Sequence, residues 1–139
     1  MKRLMMVAVL LTATGIQAGE LTLELSGKEI AGKQVRLAVC SSSETGKFPV
    51  DEKLCRRVIA EAASDRLKVE VHDLPPGKYV VTSYVDNNRN GRLDKNFLGI
   101  PQEKYGFSND ARSRFGPPDF ADAEFEVGTS AVSRSIQLH

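Results

Sequence analysis

The sequence predicts an all-β sandwich. Three observations carry that expectation. Short apolar runs alternate with polar residues at a period of two; proline- and glycine-containing turns separate them; few stretches show helical periodicity. Such a pattern packs as two antiparallel sheets over a common core.

The N-terminus is read first as an address. Met1-Lys2-Arg3 is a short basic start, and Leu4 to Thr14 is an apolar run too short to span a bilayer as a mature helix. Ile16-Gln17-Ala18 offers a small residue at a cut, so residues 1–18 are expected to be a signal peptide with cleavage after Ala18. No cysteine follows the apolar run to take a lipid anchor. Of 139 residues, 139 less 18 leaves 121, which is one domain, 19–139, and enough to bury a core. Losing Lys2 and Arg3 turns the net charge from +1 to −1. That balance argues against nucleic acid or anionic membrane as the main partner. No later segment is apolar enough to span a membrane, so no membrane insertion is expected once the signal is removed.

Leu21, Leu23 and Leu25 alternate with Thr22 and Glu24, giving a half-buried first strand that Ser26-Gly27-Lys28 ends. Val35, Leu37 and Val39 give a second, followed by a polar loop from Ser41 to Lys47. Pro49 to Ala63 reads two ways. Leu54, Val58 and Ala62 would line a helical face, whereas residues 55–62 also alternate as a strand. A short helical turn near Asp51–Leu54 with a strand after it is expected, then a hairpin turn at Ser64-Asp65. Leu67, Val69 and Val71 form the next strand, broken by Leu74-Pro75-Pro76-Gly77. From Tyr79 to Val85 both faces carry apolar residues, as in a central strand covered on two sides. Val132, Arg134, Ile136 and Leu138 share a face of the closing strand.

Between these strands lies a segment, Asp86 to Val127, with few regular signals. A loop of that length is functional or locally tied down. Its aromatics (Phe97, Tyr105, Phe107, Phe115, Phe120 and Phe125) argue against disorder and for an ordered lid packed on the body. Two cysteines remain after export, Cys40 and Cys55. An oxidising compartment permits a disulfide between them, adding roughly 3 kcal/mol by the chain-entropy model; two separately buried thiols are the alternative.

The start of the long segment carries the candidate chemistry. Asp86, Asn88, Asn90 and Asp94 bring side-chain oxygens at a spacing that wraps a hard cation, with Gly91 letting the backbone reverse and Arg92 offering a carbonyl. The helix-loop-helix calcium motif needs a Glu at its twelfth position, and Phe97 stands there. Glu103 or Asp110 are candidates to close the shell. Two certain carboxylates predict a weak site of about 10⁻⁴ M, in the extracellular class. The alternative is an Asn-Gly turn, its Asp and Asn chosen for turn hydrogen bonds.

Other chemistries find less. His72 sits on the polar face of a strand and His139 is the last residue; Ser108 and Ser113 stand in no Gly-x-Ser-x-Gly setting. Zinc would need more His or Cys, and no phosphate-cradling glycine loop occurs. Asp119, Asp122, Glu124 and Glu126 read as a solvated face. No catalytic residues are assigned, and no enzyme activity is expected.

The motifs Leu74-Pro75-Pro76-Gly77-Lys78-Tyr79, Asp86-x-Asn88-x-Asn90-Gly91-x-Leu93-Asp94, Gly99-Ile100-Pro101-x-Glu103-x-Tyr105-Gly106-Phe107-Ser108-Asn109 and Phe115-Gly116-Pro117-Pro118 follow one another here. In these the chain resembles a widespread bacterial family of exported proteins catalogued as a domain of unknown function, over most of Leu67–Val127. The resemblance implies an immunoglobulin-like or transthyretin-like sandwich with no assigned activity. The Asp86–Asp94 loop is also similar to calcium loops in repeat domains of bacterial surface adhesins, which implies calcium by analogy alone.

Together these give an expectation: a periplasmic or secreted, non-enzymatic β-sandwich stabilised by calcium, meeting a protein or glycan at the cell envelope. The alternative is a small-molecule or glycan-binding domain with an aromatic lid of Tyr105, Phe107 and Phe115.

Overall fold

The computed structural model describes residues 18–43, 46–114 and 116–139. Apart from Ala18, the expected signal peptide lies outside the described residues, as does Phe115. Eight strands form there: β1 (Gly19–Ser26), β2 (Gln34–Ser41), β3 (Arg56–Glu61), β4 (Arg66–Leu74), β5 (Gly77–Asp86), β6 (Tyr105–Phe107), β7 (Phe125–Val127) and β8 (Val132–Gln137). One short helix, α1 (Phe120–Ala123), precedes β7. The strands make a three-stranded sheet ordered β4-β1-β8 and a five-stranded sheet in which β3-β2-β5-β6 run in order and β7 also pairs with β5. The all-β sandwich is therefore the observed fold.

Alternation does what it predicts. Leu21, Leu23 and Leu25 of β1 meet Val35, Leu37 and Val39 of β2, Val69 and Val71 of β4 and Val81 and Val85 of β5 in one core between the sheets. Burying each such side chain stabilises by about 1.5–3 kcal/mol relative to exposure. The opposite face of the larger sheet is also covered. Ala38, Cys40 and Val80 pack with Ala111 and Ala123, against Phe48, Val50, Phe107 and Phe120. That is why β5 is apolar on both faces. The Cys40–Cys55 disulfide is formed and ties the helical turn Glu52–Leu54 onto this second core. Asp51 caps that turn, its side chain accepting from the Lys53 amide at 3.0 Å.

The hairpin expected at Ser64-Asp65 does not form. β3 pairs with β2 and β4 with β1, so the connection crosses from one sheet to the other. Alternation decides which face a strand buries and leaves its neighbour open. The Asp65 carboxylate instead accepts the Ile30 and Ala31 amides at 3.1 and 3.2 Å, fastening the β1–β2 connection. Those amides hold its pKa below the ordinary carboxylate value.

The long segment is partly regular and is not one lid. It contributes β6, β7, α1 and a short turn at Ser108–Asp110. Phe125 enters the main core, with the Arg134 guanidinium 5.5 Å above its ring. Phe107 and Phe120 join the second core by stacking around Phe48, at 5.0 and 5.3 Å between ring centroids. Phe97, expected in the lid, is 96% exposed. Buried Ser108 accepts the Val81 amide at 2.9 Å and donates to the Ala123 carbonyl, fixing the segment to β5.

β6 also closes one side of the sandwich. The Tyr105 amide donates to the His139 carbonyl and the His139 amide to the Tyr105 carbonyl, both at 3.0 Å. The approach is so close that a Cβ on Gly106 would lie 2.6 Å from the Gln137 carbonyl oxygen and 2.8 Å from Ile136. Gly106→Ala is therefore expected to cost about 1–3 kcal/mol by forcing the backbones apart. Denaturant unfolding checks it, and an unchanged midpoint would mean that β6 is free to shift.

Candidate functional site

β5 leaves the five-stranded sheet at Asp86, which is 1% exposed. Its Oδ2 accepts the Arg36 Nε hydrogen at 2.8 Å and the Gly91 amide at 2.8 Å, and its Oδ1 accepts the Asn90 amide at 3.1 Å. Burial pushes this carboxyl's pKa up. The Gly91 amide, the Arg36 guanidinium and the Asn90 amide outweigh it and hold the group below the ordinary carboxylate value. The chain bends through left-handed backbone at Arg89 (φ 56°) and Gly91 (φ 79°), the second of which favours glycine.

A second buried carboxylate, Glu103, returns to the same place. Its Oε2 accepts the Asn87 amide at 2.6 Å and its Oε1 the Asp94 amide at 2.9 Å. Asp86 and Glu103 between them thus hold four backbone amides of the loop. Arg89, at its outer bend, is ion-paired to Glu61 of β3, with Nη2 3.0 Å from Oε2.

Asp94 is the half-exposed acid. Asn88 Nδ2 donates to its Oδ2 at 2.5 Å and Asn90 Nδ2 to its Oδ1 at 2.7 Å. The two amide oxygens cap local turns: Asn88 Oδ1 accepts the Asn90 amide at 3.4 Å and Asn90 Oδ1 the Arg92 amide at 3.1 Å. Asp86, Asn88, Asn90, Asp94 and Glu103 are thereby brought together, with different tasks. Asp86 and Glu103 anchor backbone, while Asn88, Asn90 and Asp94 form the outer triad. The Arg92 side chain is 81% exposed and reaches Asp94 only at 4.0 Å. Among the described residues no three His, Cys, Asp or Glu side chains gather as metal ligands, so a cation here would need the Asn oxygens and carbonyls as well.

Beyond Asp94 the loop becomes a narrow hairpin. Lys95 bridges to Pro101, and the Gln102 amide donates to the Asp94 carbonyl at 2.8 Å. Asn96 organises the tip: its Oδ1 accepts the Leu98 and Ile100 amides at 2.9 and 3.0 Å, its amide donates to the Ile100 carbonyl, and its carbonyl accepts the Gly99 amide. Phe97, Leu98 and Ile100 stand out at 96, 68 and 53% exposure.

A family described as "Uncharacterized protein conserved in bacteria (DUF2141)" matches residues 25–135. The chain belongs to the DUF2141 family. No curated protein and no solved structure matches the chain. The DUF2141 match runs from Leu25 in β1 to Ser135 in β8, so it contains the whole anchored loop and both of its carboxylates.

Of the lid residues, Tyr105 and Phe107 meet edge to face at 5.9 Å, and Phe115 lies outside the described residues. The cavity beside them holds about 60 Å³, between Tyr105, Phe107, Ala111 and Pro118 among others. His72 lies on the exposed face of β4, its Nδ1 paired with Glu20 and its Nε2 3.8 Å from Glu70. The hydrogen bond and charge of Glu20 raise its pKa. Arg36 and the Phe97–Ile100 tip were not anticipated. Arg36 precedes Asp86 by fifty residues in an ordinary polar strand position. The tip had a signal, an Asn followed by exposed-loop apolars, that the count of aromatics masked.

Proposed function

We propose that this DUF2141 protein is an exported, non-enzymatic interaction module of the cell envelope or the secreted fraction, whose working element is the loop from Asp86 to Glu103. The observation that carries this reading is the pair of buried carboxylates gripping four loop amides, which makes a long surface loop stiff. A stiff loop presents its tip at little ordering cost when a partner binds. The basic, then apolar N-terminus and the Cys40–Cys55 disulfide support an oxidising destination. The setting of His72 between two glutamates on an open sheet face supports a structural role for it.

Calcium is part of the proposal, at the outer triad. Asn88 and Asn90 aim their amide ends at Asp94. An amide presents nitrogen or oxygen at nearly the same position. Turning both would give two oxygens beside one carboxylate, a hard-cation donor set completed by carbonyls or water, at the loss of the bonds that Asn88 Oδ1 and Asn90 Oδ1 accept from the Asn90 and Arg92 amides, which the ion would have to offset. Asp86 and Glu103 would then support the ligands and need not ligate.

Titration calorimetry with calcium alone tests this, on the purified protein beside Asp94→Ala. Asp94 is the residue to change because removing Asp86 would also strand Arg36. Saturable heat with a dissociation constant of about 10⁻⁴ M, abolished in Asp94→Ala, is expected. A hundredfold excess over that constant should add about 2.7 kcal/mol of stability. Absence of heat at millimolar calcium would leave Asp86–Asp94 as a self-sufficient turn and remove calcium from the function. The aromatic-lid form of the small-molecule or glycan reading asks for a cavity of roughly 300 Å³ or more; the one at Tyr105 and Phe107 holds about 60 Å³, whereas an open hollow of about 330 Å³ lies between Val85, Asn87, Glu103, Lys104 and His139.

A further inference from the structure

Resting on that reading of the loop, we propose that its tip docks the protein onto an anionic lipid bilayer surface, with Phe97, Leu98 and Ile100 entering the interfacial layer. Two observations point there. The three side chains are the exposed apex of a narrow hairpin, a convex shape that enters a soft surface without needing a matching groove. The amides of Asn96, Leu98, Gly99 and Ile100 are all bonded within the tip, through Asn96 or Ile100. Backbone that enters a low-dielectric layer must carry its hydrogen bonds with it, and these four amides do; the Phe97 amide at the apex is not among them and stays at headgroup depth. A partner strand adding to the loop would instead want those amides free.

Charge selects the lipid. From Lys95 to Gln102 the only ionisable side chain is Lys95, at the base of the tip, and exposed Arg92 lies upstream. The nearest carboxylates are Asp94, held by the Asn88 and Asn90 amides with Arg92 at 4.0 Å, and buried Glu103, which holds the Asn87 and Asp94 amides. The near-zero charge of the whole chain does not decide this, because screening limits a surface charge to its neighbourhood of about 8–10 Å. The contact is peripheral: a five-residue apex reaches the headgroup–acyl boundary and does not span. Among the described residues no helix is long and apolar enough to cross a membrane.

Vesicle co-sedimentation tests the proposal, using phosphatidylglycerol–phosphatidylethanolamine vesicles beside pure phosphatidylcholine. The purified protein is compared with Phe97→Ser/Leu98→Ser and with Lys95→Ala, all in the same N-terminal form as read by intact mass. Phe97, Leu98 and Lys95 are all exposed, and an unchanged melting temperature certifies the fold. Binding to anionic vesicles is expected to fall roughly tenfold or more in the double variant. In Lys95→Ala it should fall about fivefold on anionic vesicles only. No sedimentation at millimolar anionic lipid, or equal binding by the double variant, overturns the proposal. So does crosslinking through position 97 to an envelope protein in place of lipid. Calcium calorimetry is run without vesicles, so a surviving calcium heat with no vesicle binding would reject lipid docking alone.

Discussion

Asp86→Ala should lower the unfolding free energy by about 2–4 kcal/mol, seen as a fall of about 10 °C in melting temperature. The change strips the Arg36 guanidinium and the Asn90 and Gly91 amides of their acceptor in one step. Removing one partner of a buried ion pair costs about 3–5 kcal/mol. The Arg36 side chain is 26% exposed and keeps some water, which places the expectation lower. The effect depends on pH with a definite sign. The Asp86 carboxyl is held below its ordinary pKa despite burial, so its contribution is complete above the unfolded value of about 3.9 and is lost as pH falls through the folded value. Wild type and Asp86→Ala should therefore differ most near neutral pH and converge in acid below about pH 4. Asp86→Asn, which keeps an acceptor without the charge, should lie between them. Denaturant unfolding at pH 7 that places Asp86→Ala within 0.5 kcal/mol of wild type, roughly the noise for a surface change, would remove Asp86 as the anchor of the loop.

The second large effect is expected from Cys40→Ala/Cys55→Ala. The disulfide spans 15 residues, and closing a loop of that length limits the unfolded chain by about 3 kcal/mol. Cys40 is fully buried in the second core, where it packs with Ala38, Val80, Phe48 and Val50. Loss of the bridge should therefore act locally as well as globally. The segment 46–55 should open first, and trypsin should cut at exposed Lys47 and Lys53 well before it cuts the strands. Reduction of the intact protein should reproduce both results. A melting temperature indifferent to reductant would mean that the second core alone holds the segment.

Sequence periodicity disclosed the strands because each has one buried face, and in β5 two. Leu21, Leu23 and Leu25, or Leu67, Val69 and Val71, announce a strand without reference to anything else in the chain. Pairing is not local in this way. That β3 turns from β4 to lie on β2, and that β1 takes β8 as a parallel neighbour, follows from the joint packing of faces. In the loop, the Asp and Asn spacing marked a true cluster. It did not disclose the hydrogen bonds of Asp86, since one partner is Arg36, fifty residues away in sequence. Aromatic content misled at Phe97, because an aromatic ring contributes the same to composition whether it lines a core or caps a hairpin.

The parallel pairing of β1 with β8 sets an order of assembly. β1 lies in the middle of its sheet, between β4 and β8, and its partner residues in β8 run from Val132 to Gln137. A chain that emerges from its N-terminus holds Leu21, Leu23 and Leu25 with one flank open until β8 is out. Long-range pairing of this kind folds slowly, and an open flank is a template for pairing with another chain. Arrival of β8 is thus the event that seals the sheet, and the paired backbone bonds between His139 and Tyr105 fasten the seal. A chain interrupted before Val132 would leave β1 as a sticky edge.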